Sequence, residues 1–299
     1  MKINEAPESG AAPTLSVGLP VYNGGKWIGE AIQSIVEQSF TDLELIISDN
    51  ASNDETERIC REAVSKDSRI RYYRNTENIG QFANFDRVFE LSRGEFFKWA
   101  ADSDFCLEGF LESCMEVLQA NDDAVLTYTQ AYLLLKDANG EDIAVEYLDD
   151  FNLDYDRPSD RFKAYLERER INNLMHGVIR SSALRETSLH QPLPGSDISM
   201  VAELSLRGKF IEAPGRLFVR RFDTETSSLL MSANTAVARD VSREPTFVKR
   251  IKLHSRRFVT TWHAPIEFRE KVLVWLYLFR RVLYLRHQIF SRITRLLFG

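Results

Sequence analysis

LSVGLPVYNGGKWIGEAIQSIVEQSFTDLELIISDNASNDET, residues 15–56, carries the pattern that decides the fold. LSVGLPV (15–21) is apolar and β-leaning, and the turn residues Tyr22-Asn23-Gly24-Gly25 end it. From Trp27 to Gln38 the period changes, and Ile28, Ala31, Ile32 and Ile35 recur at helical spacing on one face. LELIIS (43–48) is a second apolar run of strand length. A polar turn and a helix over 55–65 follow it. Strand, helix, strand is the βαβ unit of a parallel sheet.

The alternation continues. RIRYYR (69–74) reads as a strand before a helix over 81–91, and EFFKWAA (95–101) as a strand before a helix over 107–118. AVLTYTQAYLLL (124–135) is the fifth strand. Right-handed crossovers then give an α/β, mostly parallel, Rossmann-like sheet flanked by helices. Ligands of such sheets sit beyond the strand carboxyl ends, so the polar loops after strands one, two and four are where chemistry is expected. Past Lys136 the pattern loosens. DANGED (137–142) reads as a hairpin turn, and 149–160 as an acidic, Tyr-containing loop. A helix over 161–170, a short strand around 177–180 and a helix over 198–207 follow, then strand-like 209–213 and 216–222. The last sixty residues are helical in pattern. The expected division is a disordered leader over 1–14, a nucleotide-binding domain over 15–235 and a helical extension over 236–299.

The net charge of −6 hides an asymmetry. From Arg243 onward stand 13 Lys/Arg against 3 Asp/Glu, a balance of +10, leaving 25 basic and 41 acidic residues elsewhere. A basic segment on an acidic body predicts contact with an anionic surface. Cys60, Cys106 and Cys114 lack metal-ligand spacing and read as reduced thiols of a cytoplasmic protein. No run approaches the roughly 18–20 apolar residues of a spanning helix.

Three acidic constellations follow. In SDNASNDET (48–56), Asp49 is placed at a strand end to accept hydrogen bonds from a base or ribose, while Asp54 reads as the turn and cap of the next helix. Asp102-Ser103-Asp104 puts two carboxylates at i and i+2, an arrangement that repels itself unless a cation joins it. The alternative is a helix cap near Leu107. Asp197, in PGSDISMVAELSLRG, reads as a helix N-cap or as a general base at a helix start.

SVGLPVYNGGKWIGEAIQSIVEQSF, LELIISDNASNDET, RNTENIG and GEFFKWAADSDF together closely resemble family 2 glycosyltransferases of the GT-A fold, in order and spacing, from about Ser16 to Leu134. The resemblance implies that Pro20, Tyr22 and Asn23 line a nucleotide pocket and that Asp49 contacts the base, commonly uracil. It places Asn78 and Gly80 in a turn near the nucleotide, and makes Asp102 and Asp104 the D-x-D that holds Mg²⁺ or Mn²⁺ and diphosphate. Asp197 then matches the base of inverting members. Two departures stand out: Ser103 occupies a position usually acidic, and VRRFDTETSS (219–228) has no histidine where many members bind metal. Asp223 is one substitute there, and Arg220 or Arg221 neutralising the diphosphate is another. His176 reads either as an acceptor-side residue or as a structural hydrogen-bonder.

Projected at about 100° per residue, 279–297 separates Arg280, Arg281, His287, Arg292 and Arg295 from an apolar face, with Arg286 the intruder. Such a helix predicts peripheral attachment to the inner face of a membrane, with packing on the domain or on a second subunit as the alternative. Nucleic acid is not expected. The implied function is an inverting transfer from a nucleotide sugar, UDP-sugar favoured, to a glycan or lipid-linked acceptor in cell-surface polysaccharide or glycolipid synthesis. A catalytically weak scaffold of the same fold is the alternative.

Overall fold

The computed structural model describes residues 11–137, 139–149, 151–193, 195–222 and 246–298, with side chains in the last segment described over 252–283. The expected substitute Asp223 and most of the expected leader lie outside the described residues, as do the side chains of the basic face beyond Arg281.

The chain opens with β1 (Leu15–Val21), α1 (Ile28–Val36), β2 (Leu43–Asp49), α2 (Thr56–Lys66), β3 (Ile70–Arg74), α3 (Gln81–Glu90) and β4 (Phe96–Trp99). Ile28, Ala31, Ile32 and Ile35 turn into the core as their spacing requires. Each such side chain contributes on the order of 1.5–3 kcal/mol by leaving water. β1 pairs in parallel with β2 and β4, and β2 with β3, so these strands point their carboxyl ends to one rim.

The second half is mixed. β5 (Phe105–Cys106), α4 (Phe110–Ala120), β6 (Ala124–Lys136), β7 (Asp142–Tyr147), α5 (Pro158–Arg168), β8 (Val178–Arg180), α6 (Ser181–Arg185), α7 (Ser196–Ser205) and β9 (Lys209–Phe222) follow. Among the described residues nine strands run β3-β2-β1-β4-β8-β6-β9-β5, with β7 hairpinned onto β6. β8 is antiparallel to both β4 and β6. The parallel β6–β9 ladder is the longest, and it absorbs Pro214 and Gly215 as an irregularity between two paired stretches. The two segments read separately at 209–213 and 216–222 are therefore one strand. Two apolar clusters, one on each side of the sheet, form the core. α8 (Thr246–His263) and α9 (Phe268–Phe298) pack over α5 and α7. Among the described residues no helix is long and apolar enough to cross a membrane.

Candidate active site

The rim is built from side chains that fix one loop to the next. Pro20 is buried near the end of β1, opposite Ser48, and Tyr22 stands exposed just beyond. Asn23, at a left-handed φ of 55°, donates its N–H to Ser52 Oγ (2.9 Å) and accepts Asn53 N–H on Oδ1 (2.9 Å). Next to it, a Cβ on Gly24 would stand 2.4 Å from Asp102 Oδ2, so only glycine leaves room for that carboxylate. Gly25 N–H donates to Asp54 Oδ2 at 2.9 Å. Asp54 Oδ1 takes Thr56 N–H and hydroxyl, so Asp54 braces the start of α2 from the residue before its N-cap, Glu55, and not as the N-cap itself. Those bonds outweigh its burial and hold its carboxyl below the usual range.

Asp49 is fully buried at the end of β2. Its Oδ1 accepts Ser52 N–H (2.8 Å), and its Oδ2 accepts the Tyr72 hydroxyl (2.6 Å) and the Arg74 guanidinium. It is a rigid floor, not a free carboxylate. The adjacent Asn50 does what sequence reasoning missed. Its amide donates to Asn78 Oδ1 (2.8 Å), and its carbonyl takes Ile79 N–H (2.9 Å), so it holds the Asn78–Gly80 turn against the end of β2. Gly80, at φ 89°, then opens α3.

Asp102 and Asp104 lie between β4 and β5, and neither caps α4, which begins at Phe110 behind Gly109. Burial, then the neighbouring Asp104, pushes the Asp102 carboxyl up to about 7. Burial raises Asp104 as well, against the pull of Arg220, the Arg221 N–H and Lys98. Arg221 N–H donates to Asp104 Oδ1 at 3.0 Å. The Arg221 guanidinium lies 3.8 Å above the Trp27 ring and donates to Glu30 (2.7 Å), tying α1 to the acidic loop. Beneath them Lys98 is wholly buried, its ammonium over the Phe110 and Phe218 rings and donating to the Trp99 (3.3 Å) and His176 carbonyls. His176 stacks on Phe218 at 5.4 Å, and burial with Arg220 and Lys98 nearby holds its proton affinity well below normal. It is a packed, neutral ring, which favours the structural reading over an acceptor role.

Asp197 is the second residue of α7, and Gly195, at φ 78°, occupies the N-cap position. The N-cap expected of Asp197 is corrected accordingly: a glycine in the left-handed region makes the turn, and the carboxylate points elsewhere. Asn172, itself left-handed at φ 51°, donates its amide to Asp197 Oδ2 (2.8 Å) and accepts the buried Tyr165 hydroxyl (2.6 Å). The next residue, Asn173, accepts Arg220 on Oδ1 (2.9 Å) and donates to Asp149 Oδ2 (2.8 Å).

Hydrogen bonds and chain neighbours together link four carboxylates. The links run from Asp49 through Ser52, Asn23 and Gly24 to Asp102 and Asp104, then through Arg221, Arg220, Asn173 and Asn172 to Asp197. Among the described residues no group of three His, Cys, Asp or Glu side chains encloses a metal. Two carboxylates with diphosphate oxygens and water completing the shell are nevertheless a donor set that suits Mg²⁺. The repulsion that Asp104 exerts on the Asp102 carboxyl fits such a cation.

An acidic rim on a curled, mostly parallel sheet with helices on both faces defines the GT-A glycosyltransferase fold. The model of the family described as Glycosyl transferase family 2 matches residues 16–185, more than half of the chain, and the chain belongs to that family. It is 35% identical over 105 residues to the GalNAc(5)-diNAcBac-PP-undecaprenol beta-1,3-glucosyltransferase of Campylobacter jejuni, covering 35% of this chain and 34% of that protein. It is 30% identical over 118 residues to chondroitin synthase of Escherichia coli, covering 39% and 17%. The matches span under half the length of the first curated relatives. Staphylococcus aureus TarS residues 1–349 in complex with UDP-GlcNAc superposes with a TM-score of 0.61 at 16% identity, covering 87% of this chain and 70% of that one. The mannosyltransferase PcManGT of Pyrobaculum calidifontis, in complex with GDP-Man and Mn²⁺, superposes at 0.52 and 14% identity, covering 99% and 88%.

Proposed function

We propose that this chain transfers a sugar from a nucleoside-diphosphate sugar, UDP-linked by preference, to a hydroxyl of a glycan or lipid-linked acceptor, inverting the anomeric carbon. The observation that carries the reading is that two adjacent arginines and two adjacent asparagines link the candidate carboxylates: Arg221 N–H bonds Asp104, Arg220 bonds Asn173, and Asn172 bonds Asp197. UDP-GlcNAc in TarS and the undecaprenol-linked acceptor named for the Campylobacter enzyme support the substrate classes.

Pro20, Tyr22, Asn23, Asp49 and the Asn78–Gly80 turn border the nucleotide. Asp104 and Asp102 would hold Mg²⁺ or Mn²⁺. When bound, the ion neutralises charge on the departing diphosphate. Asp197 has one oxygen committed to Asn172, and the other takes the proton of the acceptor hydroxyl. The acceptor oxygen bonds to the anomeric carbon from the face opposite the diphosphate. The bond between that carbon and the diphosphate breaks, and its electron pair leaves with the nucleoside diphosphate. Positioning and charge neutralisation supply most of the acceleration.

The test is nucleoside diphosphate release from UDP-, GDP- and dTDP-sugars with Mg²⁺ or Mn²⁺, using the wild type and Asp104→Asn. Release by the wild type alone supports the reading. Tight binding with no release across the panel assigns the chain as a nucleotide-sugar-binding scaffold instead.

A further inference from the structure

Among the described residues, one side of α9 is exposed. Val274 and Leu278 are buried, and Arg281 donates to the Leu166 carbonyl of α5 (2.9 Å), which fixes the inward face. On the opposite face Leu276, Phe279 and Leu283 follow one another at spacings of three and four and are 56%, 56% and 46% exposed. Phe268 and Val282 widen the same stripe. A helix with one polar face needs a single core; one apolar on two opposite faces needs a second partner.

Charge selects the partner. The segment from Arg243 onward carries +10, against −16 on the remainder, and exposed Arg269 and Arg280 border the stripe. Pairing of the same patch between two copies would set one basic segment against another. An anionic bilayer accepts both the apolar side chains and the cations.

The helices bearing the stripe are anchored beside Asp197. Leu253 of α8 would touch a Cβ on Gly195 at 3.5 Å, two residues before Asp197, and Arg257 Nε donates to Ser199 Oγ of α7 (3.0 Å). We infer that the outward face of α9 docks on the anionic leaflet at the inner face of the cell membrane and holds the Asp197 side of the cleft at the lipid surface. The class of acceptor it serves is then a glycan carried on a membrane lipid. Only that last clause rests on the transferase reading, because vesicle binding needs no turnover.

The full chain is sedimented with vesicles of phosphatidylcholine alone or mixed with phosphatidylglycerol. Binding to the anionic vesicles, weakened by salt and reduced about tenfold or more by Leu276→Ser/Phe279→Ser/Leu283→Ser, is expected. The triple variant retains nucleoside diphosphate release with a soluble acceptor. Absence of wild-type binding, or binding the triple variant leaves intact, overturns the inference. So does a wild-type dimer by light scattering that the triple variant dissolves, which would assign the face to a second copy.

Discussion

Asn172 donates its side-chain amide to Asp197 Oδ2 at 2.8 Å, and the buried Tyr165 hydroxyl, 2.6 Å from Asn172 Oδ1, fixes which way that amide points. Tyr165 thus sets the orientation of the candidate base through one intermediary. Asn172→Gly keeps the φ of 51° without strain and removes the amide. A misplaced reacting group costs up to about a hundredfold in rate. The expected outcome is a kcat lower by roughly ten- to a hundredfold with donor KM nearly unchanged. A raised KM at unaltered kcat would remove Asn172 from this role.

Gly24 is tied to Asp102 by space alone. The Cβ of Gly24→Ala would stand 2.4 Å from Asp102 Oδ2 and 2.6 Å from Val21 Cγ2, so the carboxylate, the more mobile of the two, gives way. Donor KM should rise about tenfold or more, and the Mg²⁺ concentration needed for half-activity with it. The melting temperature should move by only a few degrees, consistent with a local shift. Unchanged metal dependence would place the working position of Asp102 elsewhere.

The first half of the fold was legible because its information is local. Spacing within 28–35 and the apolar run at 43–48 each specify an element without help from distant residues. The rest depends on long-range partners. β8 has three residues, and its place between β4 and β6 is set by strands more than fifty residues upstream. Pro214-Gly215 reads as a break, yet the neighbouring β6 carries the strand across it. Asp49, Asp102 and Asp104 were legible as candidates from their positions after strands, and Asp197 from its place at a helix start. Their supports were not, since Asn172 meets Asp197 across 25 positions, and Lys98 meets the His176 carbonyl across 78.

Asp149 yields a stability prediction with a definite sign. Burial raises its carboxyl from an ordinary 3.8 to about 6, although Arg220 and Asn173 pull the other way. The fold therefore favours the protonated form. That contribution is fully present below the unfolded value and is lost as pH rises through about 6. Asp149→Asn removes the charge and keeps the shape. Its stability relative to wild type should be near zero at pH 4 and grow to a ceiling of about 3 kcal/mol above pH 7. Denaturation curves at pH 4.5, 6 and 7.5 measure this, and parallel curves for the two proteins would show that the charge is not felt.

Lys98 gives the sharpest test of what opposes the protonation of Asp104. Its ammonium is buried among Phe110, Phe218 and two carbonyls, and it lowers the proton affinity of Asp104, which burial raises. Lys98→Met keeps an unbranched, adaptable side chain in the same space. Removing a buried cation relieves its desolvation, while the stranded Trp99 and His176 carbonyls cost about 1–3 kcal/mol, so the two effects offset and the fold should persist. The effect on Asp104 has no such offset. With the cation gone, Asp104 protonates at higher pH, and the acid limb of kcat/KM, which reports the free enzyme, should move to higher pH. Activity well above that limb should approach the wild-type value, because Asp104 is then ionised in both proteins. A variant equally impaired at every pH would mean that Lys98 acts through packing and that Arg220 with the Arg221 N–H suffices to keep Asp104 charged.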